Sequence, residues 1–271
     1  MRDSRWAVPP ALDPGDYRPS AAAPGWMSFR SSFVARAADG QDLPVAITRR
    51  MRLEAMPGAA DALRIRFQHE LTNTSATVIR NRIGLWSIIQ LPCQEKGTVL
   101  FRLTPGAADA ARVPHPYFTE LPPDVVHGTG TIQFLEVKGG RKYKVGVAAA
   151  ASAGVVTHLR PARAPKRRES WILTAQKLTV DRDGVYLDKP DYTGGGSGDN
   201  GDAAQAYNDT GTGPHAFCEI EAHAPAVEVP AGASQIVEIE ILIARADRTR
   251  MNGILAGELG FDTGVERAFR G

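Results

Sequence analysis

Phe217-Cys218-Glu219-Ile220-Glu221-Ala222-His223-Ala224-Pro225, entered through Tyr207-Asn208-Asp209-Thr210-Gly211, is the stretch from which the fold is read. Asn and Asp ahead of Gly are turn chemistry. In the run that follows, Phe217, Glu219, Glu221 and His223 alternate with Cys218, Ile220, Ala222 and Ala224. A period of two is that of a β-strand, whose successive side chains point to opposite faces. Both carboxylates and the imidazole therefore leave one side of the strand. Such a face is either solvated or a site.

The same period recurs outward from this stretch. Leu63, Ile65, Phe67, His69 and Leu71 alternate with Arg64, Arg66, Gln68 and Glu70, which reads as a half-buried strand over 62–71. Asn73-Thr74-Ser75 is a turn, and 78–91 reads as one more fully buried strand. Further strands are expected over 27–37, 43–51, 98–103, 131–138, 142–147, 155–160, 171–180 and 234–244, where Val237, Ile239, Ile241 and Ile243 form one face. Gly139-Gly140 reads as the turn of a hairpin. Residues 188–216 form a long connection, and only 247–257 reads as a helix, with Asp247 at its cap. Residues 1–25, with five prolines, form an extended lead-in, and 26–271 reads as one domain. Many short strands and one short C-terminal helix define an all-β, antiparallel sandwich or barrel.

Composition narrows the function classes. A net charge of +2 points to no polyanionic partner, and the basic runs Lys166-Arg167-Arg168 and 138–144 lack the interleaved aromatics of a nucleic-acid platform. No apolar run approaches the ~20 residues of a membrane-spanning helix. The start, Met1-Arg2-Asp3-Ser4-Arg5-Trp6, has no apolar signal-peptide core, so the simplest localisation is cytoplasmic. Cys93 and Cys218 make neither a disulfide framework nor a thiolate zinc site. Nucleophile-elbow, P-loop, zinc-protease and dinucleotide motifs are missing, which leaves acid–base chemistry on carboxylates and histidines. No cofactor or metal is expected. Asp199, Asn200 and Asp202 offer oxygens for Ca²⁺, but without an EF-hand pattern the expected reading is a disordered loop.

The segments Phe67 to Ser75 and Leu85-Trp86-Ser87-Ile88-Ile89-Gln90-Leu91-Pro92, with 217–225 and Val229-Pro230-Ala231-Gly232, resemble the galactose mutarotase-like superfamily. Within it, Lys142-Tyr143-Lys144-Val145-Gly146-Val147, Gly201-Asp202 and Tyr207-Asn208-Asp209 resemble an uncharacterised bacterial domain family. The resemblance implies a β-supersandwich of two large antiparallel sheets that binds sugar on a sheet surface. In that superfamily's epimerases a Glu is the base and a His the acid that opens the pyranose ring. Three departures are visible. The epimerase His falls near Leu85-Trp86-Ser87, where Trp86 stands instead. The Glu position falls on Ile220, between Glu219 and Glu221. The strands expected before Trp6 are missing, so the domain is abbreviated, or its start is truncated, or a partner chain supplies the edge.

Each candidate residue has two readings. Glu219, Glu221 and His223 are a catalytic set or a solvated face. Trp86 stacks on a sugar ring or fills the core. Lys144 meets an anionic substituent or solvent. Tyr207, Asn208 and Asp209 bind sugar hydroxyls or make a turn. His69 reads as a core residue, His158 as a second candidate acid, and His115, in Pro114-His115-Pro116-Tyr117-Phe118, as a loop residue with aromatic packing. The leading function is carbohydrate binding. The alternatives are an aldose epimerase-like enzyme and an assembly module that pairs with a second copy through an open sheet edge. A small sugar or glycan is the expected partner, with no nucleic acid and no membrane.

Overall fold

Ala62–Asn73 is a strand in the structure, as its period predicts, and so are nearly all the other alternating segments. The computed structural model describes residues 10–12, 15–37, 39–56, 61–106, 114–117, 120–162, 169–187, 201–261 and 265–269. In chain order the strands are β1 (Arg18–Pro19), β2 (Met27–Arg36), β3 (Asp42–Ala55), β4 (Ala62–Asn73), β5 (Ile79–Ile83) and β6 (Trp86–Pro92). They continue as β7 (Gly97–Leu103), β8 (His115–Pro116), β9 (Val126–Thr129), β10 (Ile132–Val137), β11 (Tyr143–Ala148) and β12 (Ser152–Pro161). The last are β13 (Trp171–Leu178), β14 (Asp202–Asn208), β15 (Phe217–His223), β16 (Val227–Val229) and β17 (Ser234–Ala246), followed by helix α1 (Arg248–Gly257). The pairs β7–β10, β11–β14, β12–β13, β13–β17, β14–β15, β6–β15 and β2–β3 are antiparallel. The expected all-β fold with one short C-terminal helix is what forms. No helix among the described residues is long and apolar enough to cross a membrane.

The chain folds into two compact units. The first gathers the described residues up to Arg52, Arg66–Ile83 and Val227–Glu238. In it β1, β2 and β3 pair in sequence, and β5 pairs with β16. Leu43, Val45, Ile79 and Val229 form its core, with Phe33 and Leu71 packed against them. Asn73 fixes the expected turn: its Nδ2 donates to Thr77 O at 2.7 Å and Val229 O at 2.9 Å, and its Oδ1 accepts from Ser75 N at 2.9 Å. His69 is half-buried and stacks on Phe67 at 5.5 Å.

The second unit gathers the described parts of Leu53–Ile65, Gly84–Ala226 and Ile239–Gly271. It is a sandwich. One layer runs β17-β13-β12-β7-β10-β9, and the other is a five-stranded sheet in the order β6-β15-β14-β11-β8. Between them lie Val99, Phe101, Leu135, Val137 and Val156 from the first layer and Tyr143, Val145, Val147, Ala206, Cys218 and Ile220 from the second. Fully burying a side chain such as Ile220 stabilises the fold by about 2–3 kcal/mol. The other face of the first layer packs Leu159, Leu173, Leu242 and Ala244 beneath Met251, Ile254 and Leu255 of α1. Asp247 caps that helix, accepting from Arg250 N at 3.0 Å.

Four local expectations are corrected. Gly139-Gly140 does not turn a hairpin, because β10 pairs with β7 and β9 whereas β11 pairs with β14 and β8. The chain there crosses between sheets, and a Cβ on Gly139 would collide with Ala216 Cβ and Gly211 O. Residues 202–208, read as part of a long loop, are the central strand β14. Its alanines have weak strand propensity and concealed it. Residues 78–91 break into β5 and β6 around Gly84, which packs against Ala224 O and Ala226. In β17, Val237 and Ile239 are buried but Ile243 is 40% exposed, while Leu242, Ala244 and Ala246 bury the opposite face. The basic run 166–168, with Asp199 and Asn200, lies outside the described residues.

Candidate functional site

Residues directly opposite one another in a sheet share a face, so the register states which side chains meet. β15 sets His223 opposite Trp86 and Glu221 opposite Ile88 on β6. On its other side Glu221 faces Gln205, and Glu219 faces Tyr207, both on β14. Gln205 then faces Gly146, and Tyr207 faces Lys144, on β11, and Gly146 faces His115 on β8. Trp86, Glu219, Glu221, His223, Gln205, Tyr207, Lys144 and His115 therefore share the outer face of the five-stranded sheet. Ile220, by contrast, is buried between the layers. The register gives Glu221, and not its neighbour Ile220, to the polar face.

Glu221 is 0% exposed. Its Oε2 accepts from Trp86 Nε1 at 2.9 Å and from Lys144 Nζ at 3.0 Å, and His223 Nε2 lies 3.9 Å away. Burial pushes the Glu221 carboxyl above its ordinary pKa, and the Lys144 charge pulls against that rise. Lys144, 11% exposed, sits 5.3 Å above the Trp86 ring and 5.1 Å from that of Tyr117. Two aromatic faces and a carboxylate thus hold one ammonium. Trp86 stacks on His223 at 5.6 Å and is 40% exposed. Its position on the edge strand leaves half the ring to solvent.

A second centre stands on the same face. Asp202 is buried, and its Oδ2 accepts from the Tyr117 hydroxyl and lies 3.0 Å from His115 Nε2. Gln205 Nε2 donates to the Tyr117 oxygen at 2.6 Å, and the His115 and Tyr117 rings stack at 5.9 Å. Gly146 makes the room, since a Cβ there would collide with Asp202 Oδ2 and the Tyr117 ring. Asp202 and Gln205 join this face without being expected there, and His115, expected as a loop residue with aromatic packing, is held by a buried carboxylate. Two signals were available. Pro114-His115-Pro116-Tyr117 puts a histidine and a tyrosine two apart, and Gln205 and Tyr207 alternate with alanines.

The other expected residues divide. Glu219 accepts from Gln90 Nε2 at 2.8 Å on the outer face. Tyr207 donates to Asp209 Oδ1 at 2.7 Å, and burial raises its pKa. Burial disfavours the charge on Asp209, but bonds from Tyr207 and Gly211 N hold its carboxyl below the ordinary value, and the 2.7 Å bond to Gly211 N closes the turn. Asn208 points the other way. Its Oδ1 accepts from Lys138 N at 2.9 Å and its Nδ2 donates to Lys138 O at 2.8 Å and Arg141 O at 2.5 Å, so it clamps the crossing between sheets. His158, on β12 of the other layer, is buried, and its burial lowers its pKa to about 3. It is not brought to Glu221. Among the described residues, no group of three or more His, Cys, Asp or Glu could hold a metal ion.

The face can therefore do two things chemically. It presents a half-exposed aromatic ring beside hydrogen-bonding groups, and it sets a carboxyl of raised pKa 3.9 Å from the His223 imidazole.

A family model described as "Family of unknown function (DUF6786)" matches residues 1–265. No curated protein matches the chain. Among solved structures it is similar to a galactose mutarotase-like protein from Lactobacillus casei, at 10% identity and a TM-score of 0.45, over 84% of this chain and 73% of that one. It is also similar to a proposed aldose 1-epimerase from Escherichia coli K12, at 11% identity and 0.42, over 84% and 68%. A third, a proposed aldose 1-epimerase from Klebsiella pneumoniae, matches at 10% identity and 0.45, over 91% of this chain and 58% of that one.

Proposed function

For this chain, which belongs to the DUF6786 family, we propose that the outer face of the five-stranded sheet binds a sugar. One observation carries the reading: the Trp86 ring, 40% exposed, donates its Nε1 hydrogen at 2.9 Å to the buried Glu221 carboxyl. A pyranose needs an apolar surface for its C–H face and fixed polar groups for its hydroxyls, and these two residues supply both at one point. Lys144, Gln205, Tyr207, Asp209 and Glu219 extend the polar set along the same face.

Calorimetric titration with a panel of neutral and charged aldoses tests it. Binding of at least one sugar, weakened about tenfold or more in Glu221→Gln, is the expected result, since a hydrogen bond to a charged group contributes roughly 1.5–3 kcal/mol. Unchanged binding in that variant would remove the site from this face.

A second reading is catalytic. Burial raises the Glu221 pKa, and His223 Nε2 stands 3.9 Å from its Oε2, so the face carries a carboxyl and an imidazole within reach of one ring. Polarimetry on freshly dissolved aldoses should then show anomerisation that Glu221→Gln abolishes. A rate equal to the buffer's leaves binding alone.

A further inference from the structure

The hydrogen-bond directions on this face leave three buried acceptors unused. Tyr117 has one hydroxyl hydrogen and gives it to Asp202 Oδ2. Its oxygen must therefore accept from Gln205, which fixes that amide with Nε2 toward Tyr117 and Oε1 away from it. Gln205 Oε1 has no donor. Glu221 spends Oε2 on Trp86 and Lys144, and its Oε1 has no donor. Asp202 spends Oδ2 on Tyr117 and His115, and its Oδ1 has no donor. All three side chains are at most 1% exposed. They are neighbours: Glu221 faces Gln205, Gln205 faces Gly146, and the Asp202 carboxyl lies over Gly146.

A buried acceptor without a donor costs roughly 1–3 kcal/mol, more when it is charged. Three such atoms in adjoining rows define the chemistry of the missing group. A hydroxyl donates one hydrogen bond and a water two, whereas a primary ammonium donates three. Two of the three acceptors belong to carboxyl groups, and Glu219 and Asp209 add two more on the same face, beside the cations Lys144 and Lys142 and the histidines His115 and His223. The half-exposed Trp86 ring adds a surface that attracts cations.

We propose that the sugar this face binds carries a free, protonated primary amine, as a hexosamine does, and that Glu221 Oε1, Gln205 Oε1 and Asp202 Oδ1 receive its three hydrogens. The inference rests on the sugar-binding reading and names its ligand class. The three oxygens are closed to solvent, so the amine reaches them only when this face opens locally.

The test is a calorimetric comparison of glucosamine, glucose, N-acetylglucosamine and ethanolamine on the full chain. Glucosamine should bind about tenfold or more tighter than glucose, and acetylation of the amine should remove that advantage. In Gln205→Met, which keeps the side-chain volume, affinity for glucosamine should fall by more than affinity for glucose, so that the advantage shrinks. Asp202→Asn serves as the second variant should the first fail to fold. Equal affinity for glucose and glucosamine overturns the inference and leaves sugar binding intact. Ethanolamine binding with no sugar binding supports the amine site and overturns the sugar. Binding of none of the four overturns both and assigns the three oxygens to interior water.

Discussion

Gln205 and Asn208 stand three residues apart on β14, carry the same amide, and point to opposite faces of the five-stranded sheet. Both are fully buried. Asn208, inside the sandwich, spends its oxygen on Lys138 N and both amide hydrogens on Lys138 O and Arg141 O. Gln205, outside it, spends its nitrogen on Tyr117 and leaves its oxygen without a donor. A polar group that holds the fold together uses its hydrogen-bonding capacity, because a buried remainder is costly. A polar group that waits for a ligand keeps some. The same contrast separates Asn73, satisfied on both ends in the first unit, from Glu221 and Asp202.

The contrast breaks first if the inner amide proves dispensable. Asn208→Ala should cost about 3 kcal/mol or more, because it strands Lys138 N and two carbonyls, whereas Gln205→Met should cost about 1 kcal/mol or less. Equal losses of Tm for the two variants would refute the distinction.

The next largest effect is acid sensitivity. Burial drives His158 down to about 3, with the Arg160 charge adding to the fall. Its folded pKa lies below the unfolded value of 6.5, so the stability tied to the neutral ring is full above that value and is lost as pH falls toward about 3. His158→Leu should flatten that acid limb by a few kcal/mol in pH-dependent urea denaturation. His69, lowered to about 4 chiefly by burial, leaves a smaller residual slope.

Glu221 sharpens the comparison with the opposite sign. Burial raises its folded pKa, so the stability linked to its protonated form is full below the unfolded carboxyl value and is lost as pH rises through the folded value. Glu221→Gln should therefore remove this loss of stability with rising pH, read in pH-dependent urea denaturation, while sugar affinity drops about tenfold or more. A variant that lost both stability and binding would make Glu221 a structural residue like Asn208.

The smallest effect concerns the edge. Trp86→Ala should weaken sugar binding by about 1 kcal/mol, roughly fivefold, and shift Tm little, since the ring is half in solvent. A large loss of Tm with unchanged affinity would place the ring in the core.

Much of the fold is legible in the sequence because strand period is local. Ala62–Asn73, Phe217–His223 and the capped helix Arg248–Gly257 are read from residues within a few positions of one another. Half of the site is legible for the same reason: Glu219, Glu221 and His223 share a face by alternation alone. What stayed hidden is non-local. His115 meets Asp202 and Tyr117 meets Gln205 across more than eighty residues, and no local pattern reports such pairings.

The sequence by itself determined that the chain is all-β, that one face of the 217–223 strand is polar, and that Asp247 starts the only α-helix among the described residues. These follow from backbone geometry, which repeats every two or 3.6 residues. Only the tertiary structure decided that β10 and β11 part to different layers, that Asn208 turns inward as a clamp, and that Asp202, Gln205 and Glu221 gather with oxygens to spare. Strand order and the direction of each hydrogen bond depend on which distant segments pack together, and that is settled by the burial of the whole core.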